Sequence, residues 1–280
     1  MQFKSLRDFL AFVQAELDAD RLVLPTLPDV AIKLRDAVNS GDANADQLGK
    51  MILTDAALAA RLIQVANSPL YKGNVPTQNI QSAVTRLGNK NIASIVTSLI
   101  MQQMFKPSVK LLEAHFREIW EHSVNIAGIS RALVKFAPHL NADDAMLAGL
   151  LHQIGKLPVL MLAENLPEFR DSPSRLNKLL DLAHPPIGKM IMDTWAFPAE
   201  LKQVPSEYIN FQRNHDSKAD YVDIVQVAFL QGIAGTDHPA CRLNWDSIPA
   251  FQKLGLATDV EILEIAGVAE DIDMTTTLLT

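Results

Sequence analysis

The spacing of apolar residues is the feature that most restricts how this chain can fold. The segment Phe3–Ala19 carries a helical stripe formed by Leu6, Phe9, Leu10, Val13 and Leu17. Similar stripes recur along the chain, and no strictly alternating run is long enough to predict a sheet. Because 48% of the 280 residues are hydrophobic, the chain can bury a sizeable core. The sequence therefore predicts an all-α protein.

Capping and turn residues divide the chain into predicted helices. Asp55 and Asn141 are expected to cap the helices that follow them, Gly88 to end a helix, and Pro158 to lie in a first turn. One predicted helix therefore begins after Asp55 and another near Pro158. Apart from Phe3–Ala19, the remaining predicted helices are Val30–Val38, Ala45–Leu53, Ile80–Leu87, Ile92–Phe105, Leu111–Phe136, Asp143–Ile154, Leu176–Ala183, Pro186–Trp195, Pro198–Phe211, Tyr221–Ala234 and Asp259–Ile272.

The pair Pro107 and Ser108 is the predicted boundary between two sets of helices. We therefore expect an N-terminal helical module over residues 1–108, a second helical module over 109–240 and a C-terminal extension over 241–280. From Asn244 onward Lys253 is the one basic residue, against Asp246, Asp259, Glu261, Glu264, Glu270, Asp271 and Asp273. This acidic balance indicates either a solvated helix face or a docking surface for a basic partner.

Charge and composition argue against several classes of function. A formal net charge of −7 and a pI of about 5.5 disfavour direct binding to nucleic acid, which usually needs a basic face. Cys241 is the single cysteine, so no internal disulfide can form. The N-terminal segment lacks a continuous apolar core, and the apolar stretch Ile92–Met101 is too short for a membrane span. We expect a cytoplasmic protein without membrane contact.

The segment Leu150–Lys156 looks like a metal-binding motif in which one ligand has changed. Many metal phosphohydrolases place a histidine and an aspartate side by side at the end of a helix. The imidazole binds the metal, and the carboxylate offsets its charge. Here His152 is followed by Gln153, whose neutral amide is a poor ligand for a transition metal. The motif thus indicates a metal-binding site of the phosphohydrolase type, and Gln153 argues against metal-dependent hydrolysis at that site.

His122, His152 and His184 are the candidate metal-binding residues of the sequence. They fall on separate predicted helices, and the helices of one bundle can bring such side chains to a common ion. The alternative for each histidine is a hydrogen-bonded polar residue in the core or in a groove. The sequence leaves both interpretations open.

Short motifs follow one another through both halves of the chain. The first half holds Leu24-Pro25-Thr26-Leu27-Pro28, Ile52, Asp55, Leu58, Asn67-Ser68, Ala83 and Arg86-Leu87-Gly88. The second half holds Trp120, His122-Ser123, Gly149-Leu150-Leu151-His152, Ile154-Gly155-Lys156, His184, Gly188, Trp195 and Pro198. In this order and spacing, over roughly Leu22–Ala234, they resemble the HDOD family, a branch of the HD phosphohydrolase superfamily.

The resemblance implies a first helical module that packs against a second one built like an HD domain. It also implies a role in bacterial signalling, often as an output module.

The chain departs from the active HD pattern at three points. Gln153 replaces the aspartate, the stretch Val204–Tyr208 lacks the paired histidines, and Phe229 stands where a late aspartate is expected. Asp223 could substitute for that aspartate only with distortion, so a two-metal site would lose several ligands.

Three hypotheses follow, and we favour the first. It is a non-enzymatic signalling module that binds a partner protein, or also a small ligand in the vestigial pocket, and needs no metal or cofactor. The second is a metal-dependent phosphohydrolase or phosphodiesterase. In it, His122, His152 and His184 hold one divalent ion, with Gln153 or Asp223 completing the shell. The third is a regulatory module that reaches nucleic acid only through a partner.

Overall fold

Helices form the regular structure of this protein. The computed structural model describes residues 6–18, 27–41, 43–71, 73–104, 113–164, 166, 169, 172–215, 218–258 and 267–279, and no strand occurs within those ranges. The prediction of an all-α protein is therefore confirmed for the part of the chain that can be described.

The first group of helices follows the capping residues that the sequence predicts. Its members are α1 (Leu6–Asp18), α2 (Asp29–Ser40), α3 (Ala45–Ile52), α4 (Ala56–Asn67), α5 (Ile80–Leu87) and α6 (Ile92–Met104). The Asp55 carboxylate accepts the backbone N–H of Leu58 at 3.0 Å, as expected of an N-cap. Gly88 ends α5 with a φ of 89°, a conformation that favours glycine.

The second group begins with the long helix α7. Its members are α7 (Glu113–Leu133), α8 (Ala142–Leu151), α9 (Lys156–Glu164), α10 (Pro173–Thr194), α11 (Ala199–Lys202), α12 (Val204–Glu207), α13 (Tyr221–Gly232), α14 (Pro249–Leu254) and α15 (Val268–Leu279). The predicted cap at Asn141 is confirmed, since its side-chain oxygen accepts the N–H groups of Asp143 and Asp144. Pro158 lies in the first turn of α9, as predicted.

Helix α10 differs from the prediction of two helices, Leu176–Ala183 and Pro186–Trp195. It runs without interruption through Pro185 and Pro186. Each proline removes one helical hydrogen bond, which costs roughly 3 kcal/mol in an isolated helix. The residues that flank the prolines, Leu180, Ala183, Ile187 and Ile191, are all buried. Their packing against the core stabilises a helix that local propensity alone would break.

Two further boundaries differ from the prediction. The segment Pro198–Phe211, predicted as one helix, forms the short helices α11 and α12 with a turn at Gln203. The last helix continues to Leu279, beyond the predicted end at Ile272. The beginning of that predicted helix, at residues 259–266, lies outside the described residues.

Close packing between α7 and α8 fixes the centre of the second group. A Cβ atom placed on Gly149 would lie 2.7 Å from Cα of Ala127, so the two backbones approach too closely for any larger residue. The stretch Ala142–Ala163, which covers α8 and most of α9, has a mean hydropathy of 1.4. This stretch is long and apolar enough to cross a membrane. However, 89% of its most apolar 18-residue segment is buried inside the protein, as in a core helix.

Buried polar contacts join the two groups of helices. The carboxylate of Asp143 accepts hydrogen bonds from the Tyr71 hydroxyl and from the Arg131 guanidinium. The side-chain amide of Asn141 donates to the Asn91 side-chain oxygen at 2.8 Å. A buried polar group that loses its partner costs free energy, so such contacts favour the one arrangement of the helices that keeps them paired. The cap of α8 therefore also helps to attach the first group to the second.

The limits of the predicted modules stay a prediction. Pro107 and Ser108, the predicted boundary, lie outside the described residues. Within the C-terminal extension, α15 packs directly on α7: a Cβ atom on Gly128 would lie 3.2 Å from the Cγ2 atom of Ile272. At least this part of the extension belongs to the packed core around α7.

A candidate site in a cavity lined by histidines

Three helices bring the predicted histidines to one region. His122 lies on α7, His152 directly follows α8, and His184 lies on α10. The ring centroids of His122 and His152 are 5.3 Å apart. Gly155 permits the approach of the turn after α8 to α10, since a Cβ atom there would overlap the backbone oxygen of His184. The glycine of the Leu150–Lys156 motif therefore has a packing role that brings two of the histidines together.

Backbone contacts define the orientation of two imidazoles. Nδ1 of His152 lies 2.6 Å from the Gly149 oxygen, and Nδ1 of His184 lies 2.8 Å from the Leu180 oxygen. A carbonyl oxygen can only accept, so each Nδ1 carries a proton and donates it. In the neutral ring, Nε2 then presents a lone pair. This is the tautomer that a metal-binding histidine would need, and equally the one that accepts a hydrogen bond.

Burial keeps these imidazoles uncharged. It lowers the pKa of His184 to about 3 and the pKa of His122 to about 4, with the Lys156 charge as a smaller cause in both cases. The pKa of His152 falls well below its usual value, chiefly through burial and then through His122. The region thus presents neutral imidazoles near neutral pH.

Tyr208 forms a hydrogen bond with Nε2 of one of the three histidines. Its hydroxyl donates to Nε2 of His184 over 2.8 Å and lies 3.4 Å from the Gln153 side-chain nitrogen, a long contact in which Gln153 donates. The rings of Tyr208 and His152 also pack edge to face, with their centroids 4.9 Å apart. Burial raises the pKa of Tyr208, so its hydroxyl keeps its proton and stays a donor.

Phe229 packs against the other two histidines. Its ring centroid lies 5.9 Å from that of His122 and 6.3 Å from that of His152, and 5.2 Å from the Tyr208 ring. The resemblance to HD domains expects an aspartate at this position. The structure instead places an apolar ring there, at the end of the region where His122 and His152 meet.

Two nitrogen atoms of the histidine cluster, formed by His122, His152 and His184, have no hydrogen-bond partner among the described residues. They are Nε2 of His122 and Nε2 of His152, both buried. Leaving a buried polar atom unpaired costs about 1–3 kcal/mol. These are therefore the nitrogens of the cluster that no described protein group satisfies.

The structure does not bring Asp223 to the histidines. Its carboxylate is fully buried and lies 3.1 Å from the Lys253 ammonium, and it also accepts the N–H of Asp220 in a capping box. Among the described residues, only His215, Asp220 and Asp223 form a trio of potential metal-ligand atoms within 4.8 Å of one another. Arg213 pairs with Asp220 at 2.6 Å, so cations already neutralise this trio.

The side chains around the histidines, but not His152 itself, line a cavity of about 700 Å³, which we call the histidine cavity. A volume of this size suits a small organic ligand. Lys156 lies in its wall with its side chain 13% exposed, and its nearest ion pair is to Asp181 at 3.6 Å. Other residues of the wall include His115, Glu118, His122, Gln153, Asn177, His184, Tyr208, Ile209, Phe211, Phe229, His238 and Leu243.

His122 on α7 and His184 on α10 line this cavity, and His152 packs against His122. A profile of the HDOD domain matches residues 24–208. The chain belongs to the HDOD domain family, in agreement with the resemblance found in the sequence.

Three known proteins are similar to this chain. A crystal structure from Shewanella amazonensis SB2B, whose name proposes a metal-dependent phosphohydrolase, is 31% identical, with a TM-score of 0.83 over 98% of this chain and 99% of that one. A structure from Marinobacter aquaeolei VT8, whose name proposes a signal transduction protein, is 20% identical, with a TM-score of 0.65 over 93% of this chain and 60% of that one. At that identity the likeness shows the fold alone.

An uncharacterized protein of Treponema pallidum (strain Nichols) is 23% identical over 215 residues. The match covers 68% of this chain and 40% of the relative. The match therefore spans less than half the length of this curated relative.

Sequence reasoning identified the three histidines and Gln153 but not the residues that contact them. It named Tyr208 only as the end of a stretch without histidines, and it gave no separate role to Lys156. Both line the histidine cavity. The position of Lys156, four residues after His152 and just past the turn, was the signal that could have placed it there.

Proposed function

We propose that this chain is a bacterial, cytoplasmic signalling module that acts by binding a protein partner, with an HD-type site that does not catalyse hydrolysis. The observation that carries the proposal is the hydrogen bond from the Tyr208 hydroxyl to Nε2 of His184. Because Nδ1 of His184 is bonded to the Leu180 oxygen, Nε2 is the one nitrogen through which this ring could bind a metal. Tyr208 occupies it.

The remaining donors also do not fit a two-metal centre. Such a centre needs carboxylates that share the charge of the ions. Gln153 offers a neutral amide whose nitrogen faces Tyr208, and Phe229 offers a ring. Within the described chain, the nitrogens of the three histidines do not converge within 4.8 Å of one another. These donors therefore do not support a catalytic step through a two-metal centre.

The charge at the cavity supports the same proposal. The Lys156 ammonium lies in the wall, and its charge is one cause of the lowered pKa values of His122 and His184. A group that disfavours a proton on these rings also disfavours a divalent cation between them. A site for two metal ions would need buried carboxylates that outweigh this effect.

A second candidate is a metal-dependent phosphohydrolase. One observation favours it: Nε2 of His122 and Nε2 of His152 are buried without a partner. A single ion bound by these two lone pairs could acidify a water molecule. The name of the Shewanella amazonensis relative points in the same direction.

Hydrolysis of bis(p-nitrophenyl) phosphate with added Mn²⁺ separates the two candidates. The proposal predicts that the wild type is no faster than the His152→Ala variant. Manganese-dependent hydrolysis that the wild type shows and His152→Ala lacks would overturn it. His139→Ala is the matched control, because His139 is exposed, lies outside the histidine cavity and belongs to no group of potential metal ligands among the described residues.

The partner in this proposal is another signalling protein, and nucleic acid is reached only through it. The net charge of −7 supports this, since phosphate binding needs basic residues. Filter binding with duplex DNA at low salt tests it. Retention no greater than that of an unrelated acidic protein is expected, and tight, salt-sensitive retention would contradict it.

A further inference from the structure

Lys156 is a buried cation with weak compensation. Its side chain is 13% exposed, whereas that of Asp181, which lies 3.6 Å away, is 69% exposed. The ammonium thus loses most of its hydration and gains a long ion pair with a carboxylate that stays in water. Burying a charge is expensive unless it is closely paired. Burial lowers the pKa of Lys156, which agrees with this imbalance.

Among the described residues, no negative side chain lines the inner part of the histidine cavity near Lys156. The groups around it there are the neutral imidazoles of His122 and His184, the Gln153 amide and the Tyr208 hydroxyl. Glu118 and Asp181 are the acidic residues of the wall, and both are exposed to solvent. An anion that entered the cavity would therefore meet the ammonium before any buried carboxylate.

The outer part of the cavity is apolar. Ile209 and Leu243 are 41% and 45% exposed and line it together with Phe211. Phe211 stacks on Phe229, with centroids 6.4 Å apart and planes 20° from parallel. A cavity of about 700 Å³ holds far more than an inorganic ion. These walls suit the carbon skeleton of a small molecule.

We infer that the histidine cavity binds an amphipathic organic anion. Its carboxylate or phosphate ester group pairs with the Lys156 ammonium, and its apolar body lies against Phe211, Ile209 and Leu243. This inference rests on the proposed non-catalytic function, because it uses the cavity as a ligand site without a metal. It names the ligand class through which such a module could be regulated.

Two fluorescent probes with similar aromatic bodies test this directly on the full chain. They are 8-anilinonaphthalene-1-sulfonate, which is anionic, and N-phenyl-1-naphthylamine, which lacks the sulfonate. Lys156→Met should weaken binding of the anionic probe about tenfold, since a lost charge-assisted contact is of that order, and leave the neutral probe within about twofold. Lys189→Met is the control for net charge, since Lys189 is 45% exposed and lies outside the cavity.

Competition identifies the head group. Octanoate and octyl phosphate should displace the anionic probe from the wild type, whereas octan-1-ol should displace it poorly. Whichever of the two anions displaces the probe at lower concentration distinguishes a carboxylate from a phosphate ester. Displacement by octan-1-ol as efficient as by both anions would overturn the inference, as would equal affinity of wild type and Lys156→Met for the anionic probe.

Lys156→Arg guards against a folding defect, because it keeps the charge and should keep the affinity. If Lys156→Met does not fold, the comparison of the anions with octan-1-ol on the wild type decides the question alone. A failure of this inference leaves the phosphodiester assay unaffected. Conversely, manganese-dependent hydrolysis would defeat the proposed function whatever the probes show.

Discussion

The hydroxyl group of Tyr208 lies 2.8 Å from Nε2 of His184, and the opposite nitrogen of that imidazole bonds to the Leu180 oxygen. Both nitrogens of His184 are thus satisfied inside the protein. A histidine with both nitrogens bonded within the fold is a structural residue unless Tyr208 moves. On this contact rests the proposal that the site does not hold a metal ion.

The first prediction concerns that contact. Tyr208→Phe keeps the ring and removes the donor, which leaves Nε2 of His184 buried and unpaired. We expect the free energy of unfolding to fall by about 1–3 kcal/mol, the cost of an unsatisfied buried acceptor. Urea denaturation followed by circular dichroism measures it. An unchanged midpoint would mean that the hydrogen bond contributes nothing.

The pH dependence of stability provides the second prediction. The pKa values of His122 and His184, about 4 and 3 in the folded protein, lie below the ordinary value of 6.5. Between those values the unfolded chain binds more protons, so acid favours unfolding. Stability should be fully present above pH 6.5 and fall toward pH 4, with a slope of up to ~1.4 kcal/mol per pH unit for each group.

Urea midpoints at pH 8, 6.5 and 5 measure this slope. His184→Phe should reduce it, because that variant removes one of the imidazoles whose pKa burial lowers. A midpoint that stays constant down to pH 5 would show that the buried imidazoles are not neutral in the folded state.

The third prediction concerns Gln153. Gln153→Asp restores the residue pair of the HD motif, but Phe229 and Tyr208 still occupy positions where ligands are expected. We expect no manganese-dependent hydrolysis of bis(p-nitrophenyl) phosphate, and a less stable protein, because a carboxylate replaces an amide that is only 6% exposed. Robust hydrolysis by this single variant would mean that other residues supply the missing ligands.

The close approach of α10 to the turn after α8 gives the fourth prediction. A methyl group in Gly155→Ala would overlap the backbone oxygen of His184. Overpacking of this kind costs about 1–3 kcal/mol or more. Gly49→Ala is the matched control, since its Cβ would lie 3.3 Å from the Ile80 Cγ2 atom and alanine favours its helix. Thermal denaturation should show a much larger loss for Gly155→Ala.

Local signals in the sequence predicted the ends of helices correctly where a single residue determines where the helix begins or ends. The caps at Asp55 and Asn141 and the stop at Gly88 depend on a side chain or a φ angle within a few residues. The prolines at 185 and 186 misled the prediction because their cost is local, whereas the packing that offsets it comes from other helices.

The candidate site was predictable in part for the same reason. The motif around His152 and the family resemblance pointed to the histidines that the structure brings to one region. The Tyr208 contact depends on the turn at Gln203, which ends α11 and begins α12, and no local pattern announced that turn. The replacement at Phe229 was visible in the sequence, but its packing against His122 and His152 required the arrangement of three helices.

The metal content of protein purified without added metal or chelator tests the central claim most directly. Elemental mass spectrometry should find divalent metal far below one ion per chain, and the same low level in His152→Ala. One or two ions per chain in the wild type, lost in His152→Ala, would contradict the claim that Tyr208, Gln153 and Phe229 have replaced a metal centre.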